Sequence, residues 1–573
     1  MAFDGFITKA IITELNNEII GAKVNKINQP NKNEIYLNLY NEGKNYTLNI
    51  STNPEFCRIC LTNFSKSNPQ NAYNFCMLLR KYLNNSKIIE VSNYDLERTI
   101  EIKFECYNEL NDLVIRKLFI EIMSRQSNII LTNENNIIID TLKHFDNNRE
   151  LLPAHTYVFT PINKRSFISI NTFEEYQEIV QNTTEASLSK KLTSLFIGFS
   201  RPLIKEMLLN LNINENEYSL EDLRETYEYL KNLTNSFGTN KITCKIINSH
   251  DYTLILNNRS IDNETLYPSH PINKFIDEFY NDKEQYNNFI NSRNNLLKFV
   301  SNSLKKVYKK LENINLKLKE CDEKDKFRLY GEILTANLYK IDSSKNKTEI
   351  ILDNYYDNYK PIKIPLDNKI SIQKNIEKYF KKYNKLKNAL SIVSEQKNEA
   401  EKELDYIESI IFNLSNAKSM NDLNEVYEEI SENITIKKEV SQKNQHTLKK
   451  AKKPSNSLTI EFTIIDGYTI YIGKNNLQND YLSQRFACPN DIWFHTQKIH
   501  GSHILVKNPD NLEIDDIPEN VLFNAAKIAK ENSKASNSLN VSVDYCFAKF
   551  VKKAPGGKPG MVNYTNFKTI IVK

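Results

Sequence analysis

Three histidines, an aspartate and the chain's single tryptophan fall within thirteen residues, Asp491-Ile492-Trp493-Phe494-His495 followed by His500-Gly501-Ser502-His503. Imidazoles that converge with a carboxylate are zinc ligands, and His495 and His503 could supply two of the four needed. Imidazoles beside an indole also make a surface on which RNA bases stack. Ser502 and His503 are a poor nucleophile and base, because neighbours on a strand point to opposite faces. Packing into a core is the remaining reading.

A second cluster sets Lys549, Lys552, Lys553 and Lys558 around Ala554-Pro555-Gly556-Gly557 and Pro559-Gly560. Glycines let a backbone approach a phosphate and lysines supply the charge, although an exposed turn with solvated lysines has the same composition. The ordered P-loop pattern is absent, as are GxGxxG, HExxH and GxSxG. Cys57 and Cys60 form a lone CxxC with no second pair to complete a zinc site.

These residues need a scaffold, and periodicity supplies its outline. Ile35, Leu37 and Leu39 alternate, turn at Glu42-Gly43-Lys44 and resume with Tyr46, Leu48 and Ile50, a hairpin with one wet face. A helix near 71–83, strands over 99–104 and 113–122, and a hairpin over 129–139 complete a mixed antiparallel-sheet domain, residues 1–170. Residues 171–275 break into short amphipathic helices around Leu195-Phe196-Ile197-Gly198-Phe199-Ser200-Arg201-Pro202-Leu203. That pattern suits a helix-hairpin-helix whose turn amides face a phosphate, or a plain helical turn.

Over 276–435 two heptad seams appear. Leu297, Val300, Leu304, Val307, Leu311, Ile314 and Leu318 form the first, and Tyr379 through Leu414 the second, with Lys397 inside it. They predict a long antiparallel coiled-coil arm, or a compact helical bundle, with Ile350-Ile351-Leu352 and Ile362-Lys363-Ile364 as strands capping one end. A lysine-rich connector then leads to a C-terminal α+β domain, 445–573. The fold class expected is therefore multidomain α+β.

The 573 residues carry 76 Lys+Arg and 71 Asp+Glu, a net charge of +5. That balance hides an asymmetry, since residues 437–573 alone hold 20 Lys+Arg against 12 Asp+Glu. The basic end is where a polyanion such as nucleic acid is expected. No apolar run approaches the ~20 residues of a membrane span, the opening residues do not read as a secretory signal, and eight scattered cysteines suit a reducing compartment. A cytoplasmic protein with no membrane partner is expected.

Several separate motifs, in order, resemble the NFACT family: Met1-Ala2-Phe3-Asp4-Gly5, Phe75-Cys76-Met77-Leu78-Leu79-Arg80-Lys81, Glu121-Ile122-Met123-Ser124-Arg125 with Ser127-Asn128, Tyr379-Phe380-Lys381-Lys382-Tyr383-Asn384-Lys385, and the Asp491 to His503 segment. The resemblance implies an NFACT N-terminal domain, a helix-hairpin-helix region, a coiled-coil arm and an NFACT-R RNA-binding domain. It implies binding to a large ribosomal subunit obstructed by peptidyl-tRNA, as a single copy. It further implies recruitment of alanyl-tRNA and untemplated C-terminal alanine tailing of the stalled chain for degradation. Such a protein is an elongation adaptor without a cofactor, since the ribosome makes the peptide bond.

The family's tRNA-engaging Asp-Arg pair falls on Glu97-Arg98, with Glu in place of Asp and Asp95 as a rival acid if this stretch is a strand. Glu121, Ile122 and Met123 are the further tRNA-binding expectation. Asp491, Trp493, His495, Ser502, His503, Lys552, Lys553 and Lys558 are the candidates for RNA or ribosome contact. The family's distant likeness to DNA glycosylases brings no glycosylase chemistry here, because Ala2 stands where an N-terminal proline nucleophile would be needed. Two alternatives stand beside this reading, a surface fibronectin-binding adhesin and a metalloenzyme built on His495, His500 and His503.

Overall fold

A computed structural model describes residues 3–145, 149–159, 163–185, 187–247, 251–256, 271–341, 348–433 and 460–573. They form two compact units, Met1–Tyr286 and Asn287–Lys573. Among the described residues no helix is long and apolar enough to cross a membrane. Seven lysines of the connector, between 437 and 453, lie outside the described residues.

In the first unit, helix α1 (Gly5–Ile19) lies against a nine-stranded antiparallel sheet. The sheet comprises β1 (Lys23–Asn31), β2 (Glu34–Asn41), β3 (Lys44–Ser51), β4 (Arg58–Leu61), β5 (Lys87–Asn93), β6 (Thr99–Tyr107), β7 (Leu113–Glu121), β8 (Asn128–Asn133) and β9 (Ile138–Thr141). Its spatial order is β4-β3-β2-β1-β5-β6-β7-β8-β9. Glu42 and Gly43 both have positive φ, 46° and 84°, giving the tight β2–β3 hairpin. Helix α2 (Asn74–Leu83) covers the sheet with Phe75, Cys76, Leu79 and Leu83.

Alternation does not reveal strands β1 and β5. Only Val24, Ile27 and Gln29 of β1 are buried, and a bulge between Val24 and Lys26 shifts the inward register. Helices α3 (Phe173–Gln181), α4 (Leu188–Leu195), α5 (Arg201–Asn210) and α6 (Leu220–Asn235) follow, then the hairpin β10 (Ile242–Ile247) and β11 (Asp251–Leu256). Ser200 caps α5 through the Leu203 amide, with Pro202 in the first turn where its missing N–H is harmless.

Helix α7 (Ile272–Asp322) carries the first heptad seam, and α9 (Ile372–Asn416) the second. Val300, Val307 and Ile314 are buried at seven-residue intervals, matched by Val393, Ala400, Ile407 and Leu414. The segment around Val300 and Val307 packs with that around Ile407 and Leu414, whereas Ile314 packs with Val393 and Ala400, so the helices run antiparallel. Bonds from Tyr308 to Glu408 (3.1 Å) and Lys310 to Glu403 (2.9 Å) hold that register. The arm ends in α8 (Lys324–Ala336) and the hairpin β12 (Glu349–Asn354) and β13 (Lys360–Pro365), closed around Tyr330, Ile333, Leu334 and Ile364.

Helix α10 (Met420–Asn433) leads to the C-terminal sheet, whose order is β14-β15-β17-β16-β18-β21. Its strands are β14 (Glu461–Ile465), β15 (Tyr468–Ile472), β16 (Ile492–Thr496), β17 (Ile504–Val506), β18 (Val541–Phe547) and β21 (Lys568–Val572). Helix α12 (Glu519–Glu531) covers one face, and the turn Leu482–Phe486, which follows α11 (Asn476–Tyr481), covers the other with the hairpin β19 (Val551–Lys553) and β20 (Val562–Tyr564).

The carboxamides before and within α11 meet α10. Asn475 and Gln478 donate to Glu425 at 2.5 and 2.8 Å, and Asn476 donates to the fully buried Glu429 at 2.8 Å. Burial pushes the Glu429 carboxyl up to about 7. The folded chain thus holds a proton that the unfolded chain releases near the ordinary glutamate value of 4.5. Stability therefore declines as pH climbs from there to about 7, then levels off. Glu429→Gln is expected to stabilise the protein by about 3 kcal/mol at pH 8 and by less than about 1 kcal/mol at pH 5. Urea melts at the two pH values check this, and an equal effect at both would contradict it.

Candidate functional site

Glu97 and Arg98 sit in the turn 94–98 between β5 and β6, not on a strand, and Asp95 at its apex has a positive φ of 52°. The strand argument that made Asp95 a rival acid therefore fails. Asn93 clamps the turn by donating to the Asp95 and Glu97 carbonyls at 3.0 and 2.9 Å. The Glu97 carboxylate accepts from the Arg98 amide at 3.2 Å. Both side chains are partly exposed. Beside them opens a cavity of about 450 Å³ lined by Tyr94, Glu97, Glu101 and Phe159 among others.

Two distant segments hold this turn from below. The Gly5 amide donates to the Gly198 carbonyl at 3.0 Å, and both glycines press on the Leu96 carbonyl, with no space for a Cβ at either. Gly198 has a φ of 78°, which favours glycine independently. Asp4 caps α1 by accepting from the Ile7 amide at 3.0 Å, and Ser200 donates to its other oxygen at 2.5 Å. Burial pushes the Asp4 carboxyl up to about 6, against the pull of those donors and of the nearby Arg98 charge. The Gly198 turn is thus packed inward on α1.

Glu121, at the end of β7, is 1% exposed. It forms a two-pronged ion pair with Arg149 at 2.6 and 3.2 Å and accepts from the Tyr157 hydroxyl at 2.8 Å. Ile122 is fully buried, and its amide donates to the Arg98 carbonyl at 3.1 Å. Neither side chain reaches solvent, so the expectation that they touch a ligand directly is corrected: Ile122 holds the turn through the Arg98 carbonyl, and Glu121 ties the end of β7 to Arg149 and Tyr157. Met123 is partly exposed, and Arg125 and Gln126 after it are exposed. Lys164 lies within electrostatic range of Arg98 and Glu97, and burial with the neighbouring Arg98 lowers its ammonium pKa. The Lys164 ammonium donates to the Thr193 carbonyl at 2.7 Å.

In the C-terminal domain the chemistry-rich segment is largely core. Trp493 is fully buried, and its ring lies 5.7 Å from His495, 5.1 Å from His503 and 4.9 Å from Tyr564. His503 shares a hydrogen bond of 2.6 Å with Ser483, Ser502 is buried, and burial drives both imidazoles toward neutrality, His495 down to about 4. Asp491 accepts from Lys507 at 2.7 Å and from the Cys488 and Asn508 amides. Among the described residues no three His, Cys, Asp or Glu side chains converge to hold a metal ion. Asp491, Trp493, Ser502 and His503 are therefore packing residues, and the stacking surface expected of them is corrected. Lys552, Lys553 and Lys558 are exposed, with Lys553 paired to Asp480 at 3.0 Å.

Residues 4–449 match the model of the NFACT N-terminal and middle domains, and residues 459–566 match that of the NFACT protein RNA binding domain. The chain belongs to the NFACT family. It is 34% identical over its whole length to the Rqc2 homolog RqcH of Bacillus subtilis, covering 98% of that protein. It is 32% identical, again over its whole length and 98% of the relative, to the Rqc2 homolog RqcH of Streptococcus pneumoniae. Among solved structures, the fibrinogen binding protein from Staphylococcus aureus aligns with 49% of this chain and 99% of its own, at 26% identity and a TM-score of 0.41.

In this NFACT chain, local spacing could not reveal the Asp4–Ser200 contact, which spans 196 residues, nor Arg149 as the partner of Glu121. Arg149 is an isolated arginine with no pattern around it. Its pairing carries a prediction: Glu121→Ala leaves a half-buried guanidinium without its carboxylate and is expected to destabilise the first unit by about 2–3 kcal/mol. Chemical denaturation of the variant checks this. A loss below about 0.5 kcal/mol would show that the Glu121–Arg149 pair does not help hold the first unit together.

Proposed function

We propose that this NFACT protein acts in ribosome-associated quality control in the cytoplasm. It binds a large ribosomal subunit obstructed by peptidyl-tRNA, recruits alanyl-tRNA and directs C-terminal alanine tailing of the stalled chain. It is an adaptor, and peptide bond formation stays with the ribosome. Full-length similarity to the two RqcH proteins carries this reading, and the presentation of Arg98 at the surface turn supports it.

In this proposal Arg98, Glu97 and Met123 contact tRNA. Glu121 and Ile122 position them. The extra methylene of Glu97 relative to the family Asp is accommodated by its bond to the Arg98 amide. The four-part division expected from the sequence gives the N-terminal and helix-hairpin-helix regions to tRNA. The arm and the C-terminal domain, with Lys552, Lys553 and Lys558, are given to the ribosome.

Contact through lysine and arginine with a phosphate backbone releases counterions, so affinity must fall steeply with salt. Binding to large subunits carrying peptidyl-tRNA is expected to weaken by at least about 100-fold between roughly 50 and 200 mM monovalent salt. A flat response would remove the phosphate-dominated grip.

A further inference from the structure

Across the C-terminal sheet, Phe462, Tyr471, Leu505, Trp493 and Cys546 stand directly opposite one another on successive strands and so share one face. The inner end of this row is covered by Leu482, Ala548 and Val551. The outer end is open. Phe462 on the edge strand β14 is 58% exposed, and Ile464, two residues along on the same face, is 63% exposed.

The rings continue outward from the core in contact. Phe462 lies 5.8 Å from Tyr471, which meets Phe486 edge-on at 4.8 Å. Phe486 ends a π-helical turn, Leu482–Phe486, that follows α11. The Lys507 ammonium sits 4.3 Å over that ring, and Arg485 beside it is exposed.

Nearby carboxylates are already neutralised. Asp491 is paired with Lys507, Glu461 with Lys474 at 2.8 Å, and Asp480 with Lys553. Partly exposed aromatic rings with a cationic border suit an unpaired base followed by its phosphate, and Asp466 in the β14–β15 turn is held by the Asn520 carboxamide at 2.6 Å. A duplex hides its base faces, so these rings discriminate for single strands.

We propose that the open end of this row, Phe462, Ile464, Tyr471 and Phe486 bordered by Arg485 and Lys507, is a stacking platform for single-stranded RNA. The inference rests on the RNA-binding reading of residues 459–566 and specifies its face and mode. It moves the platform away from the buried Trp493 and His503 to the sheet edge.

The test uses the full chain with a fluorescent single-stranded 12-nucleotide RNA and a duplex of the same length, read by anisotropy. Phe462→Ala is expected to weaken single-strand binding by about 5- to 30-fold, with duplex binding within about twofold of the parent. Phe462→Trp, which keeps a ring, is expected to restore it. Phe462 is exposed, and an unchanged thermal melt will show that each variant is folded.

Single-strand binding by Phe462→Ala equal to the parent's would overturn the platform while leaving RNA binding elsewhere in place. A parent chain that binds neither RNA nor large subunits would overturn the underlying reading as well. Loss of large-subunit binding with oligonucleotide binding intact would assign the edge strand to a protein partner and overturn the proposal.

Discussion

An Arg98→Ala chain is expected to sediment with obstructed large subunits as the parent does, yet retain no tRNA and support no tailing. The guanidinium is the charged donor on a turn whose backbone is fixed on three sides: by Asn93 from within, by the Ile122 amide at 3.1 Å, and by Gly5 and Gly198 against Leu96. A charged hydrogen bond to a phosphate or base edge, lost from a fixed site, is worth about 2–5 kcal/mol. That corresponds to roughly 30-fold or more in tRNA affinity, by the rule that 1.4 kcal/mol is tenfold. Glu97→Asp, which restores the family carboxylate, is expected to leave tailing within about threefold of the parent. Equal loss of subunit and tRNA binding by Arg98→Ala would end the division of labour between the two halves of the chain. Filter binding of tRNA and subunit cosedimentation separate the outcomes.

Gly198→Ala carries the second large effect. Its Cβ would overlap the Leu96 carbonyl and the Gly5 backbone, and its φ of 78° is strained for any L side chain. Gly43 shares the strain, with a φ of 84°, but nothing lies near it. Gly43→Ala thus isolates the conformational part, about 1 kcal/mol. Gly198→Ala is expected to destabilise by about 3 kcal/mol or more, because the overlap adds to the strain. It is expected also to weaken tRNA binding, since the Leu96 carbonyl must move and Arg98 with it. Paired denaturation curves check the difference, and equal losses at the two glycines would show that Gly198 does not hold the turn.

Elements with strong local periodicity are legible in the amino-acid sequence alone. The heptad seams of α7 and α9 need only a seven-residue pattern, and Val300, Val307 and Ile314 are buried as that pattern requires. Polar strands are not legible: β1 buries few residues and is bulged, so neither period registers. The Trp493 segment misleads for a different reason. Alternation on β16 places Trp493 and His495 on one face, but whether that face meets solvent or Leu482 and Val551 depends on chain outside the strand, on either side of it. Likewise the proposal for Arg98 rests on motif alone. The Asp4–Ser200 bond beneath its turn joins segments 196 residues apart and leaves no local trace.

Sequencing the RNAs that copurify with the full chain from nuclease-treated lysate tests the central claim most directly. Strong enrichment of alanine tRNA together with large-subunit ribosomal RNA is the predicted result, with the tRNA, but not the ribosomal RNA, lost from an Arg98→Ala preparation. Recovery of no tRNA above background, or of a mixture matching total cellular tRNA, would contradict it.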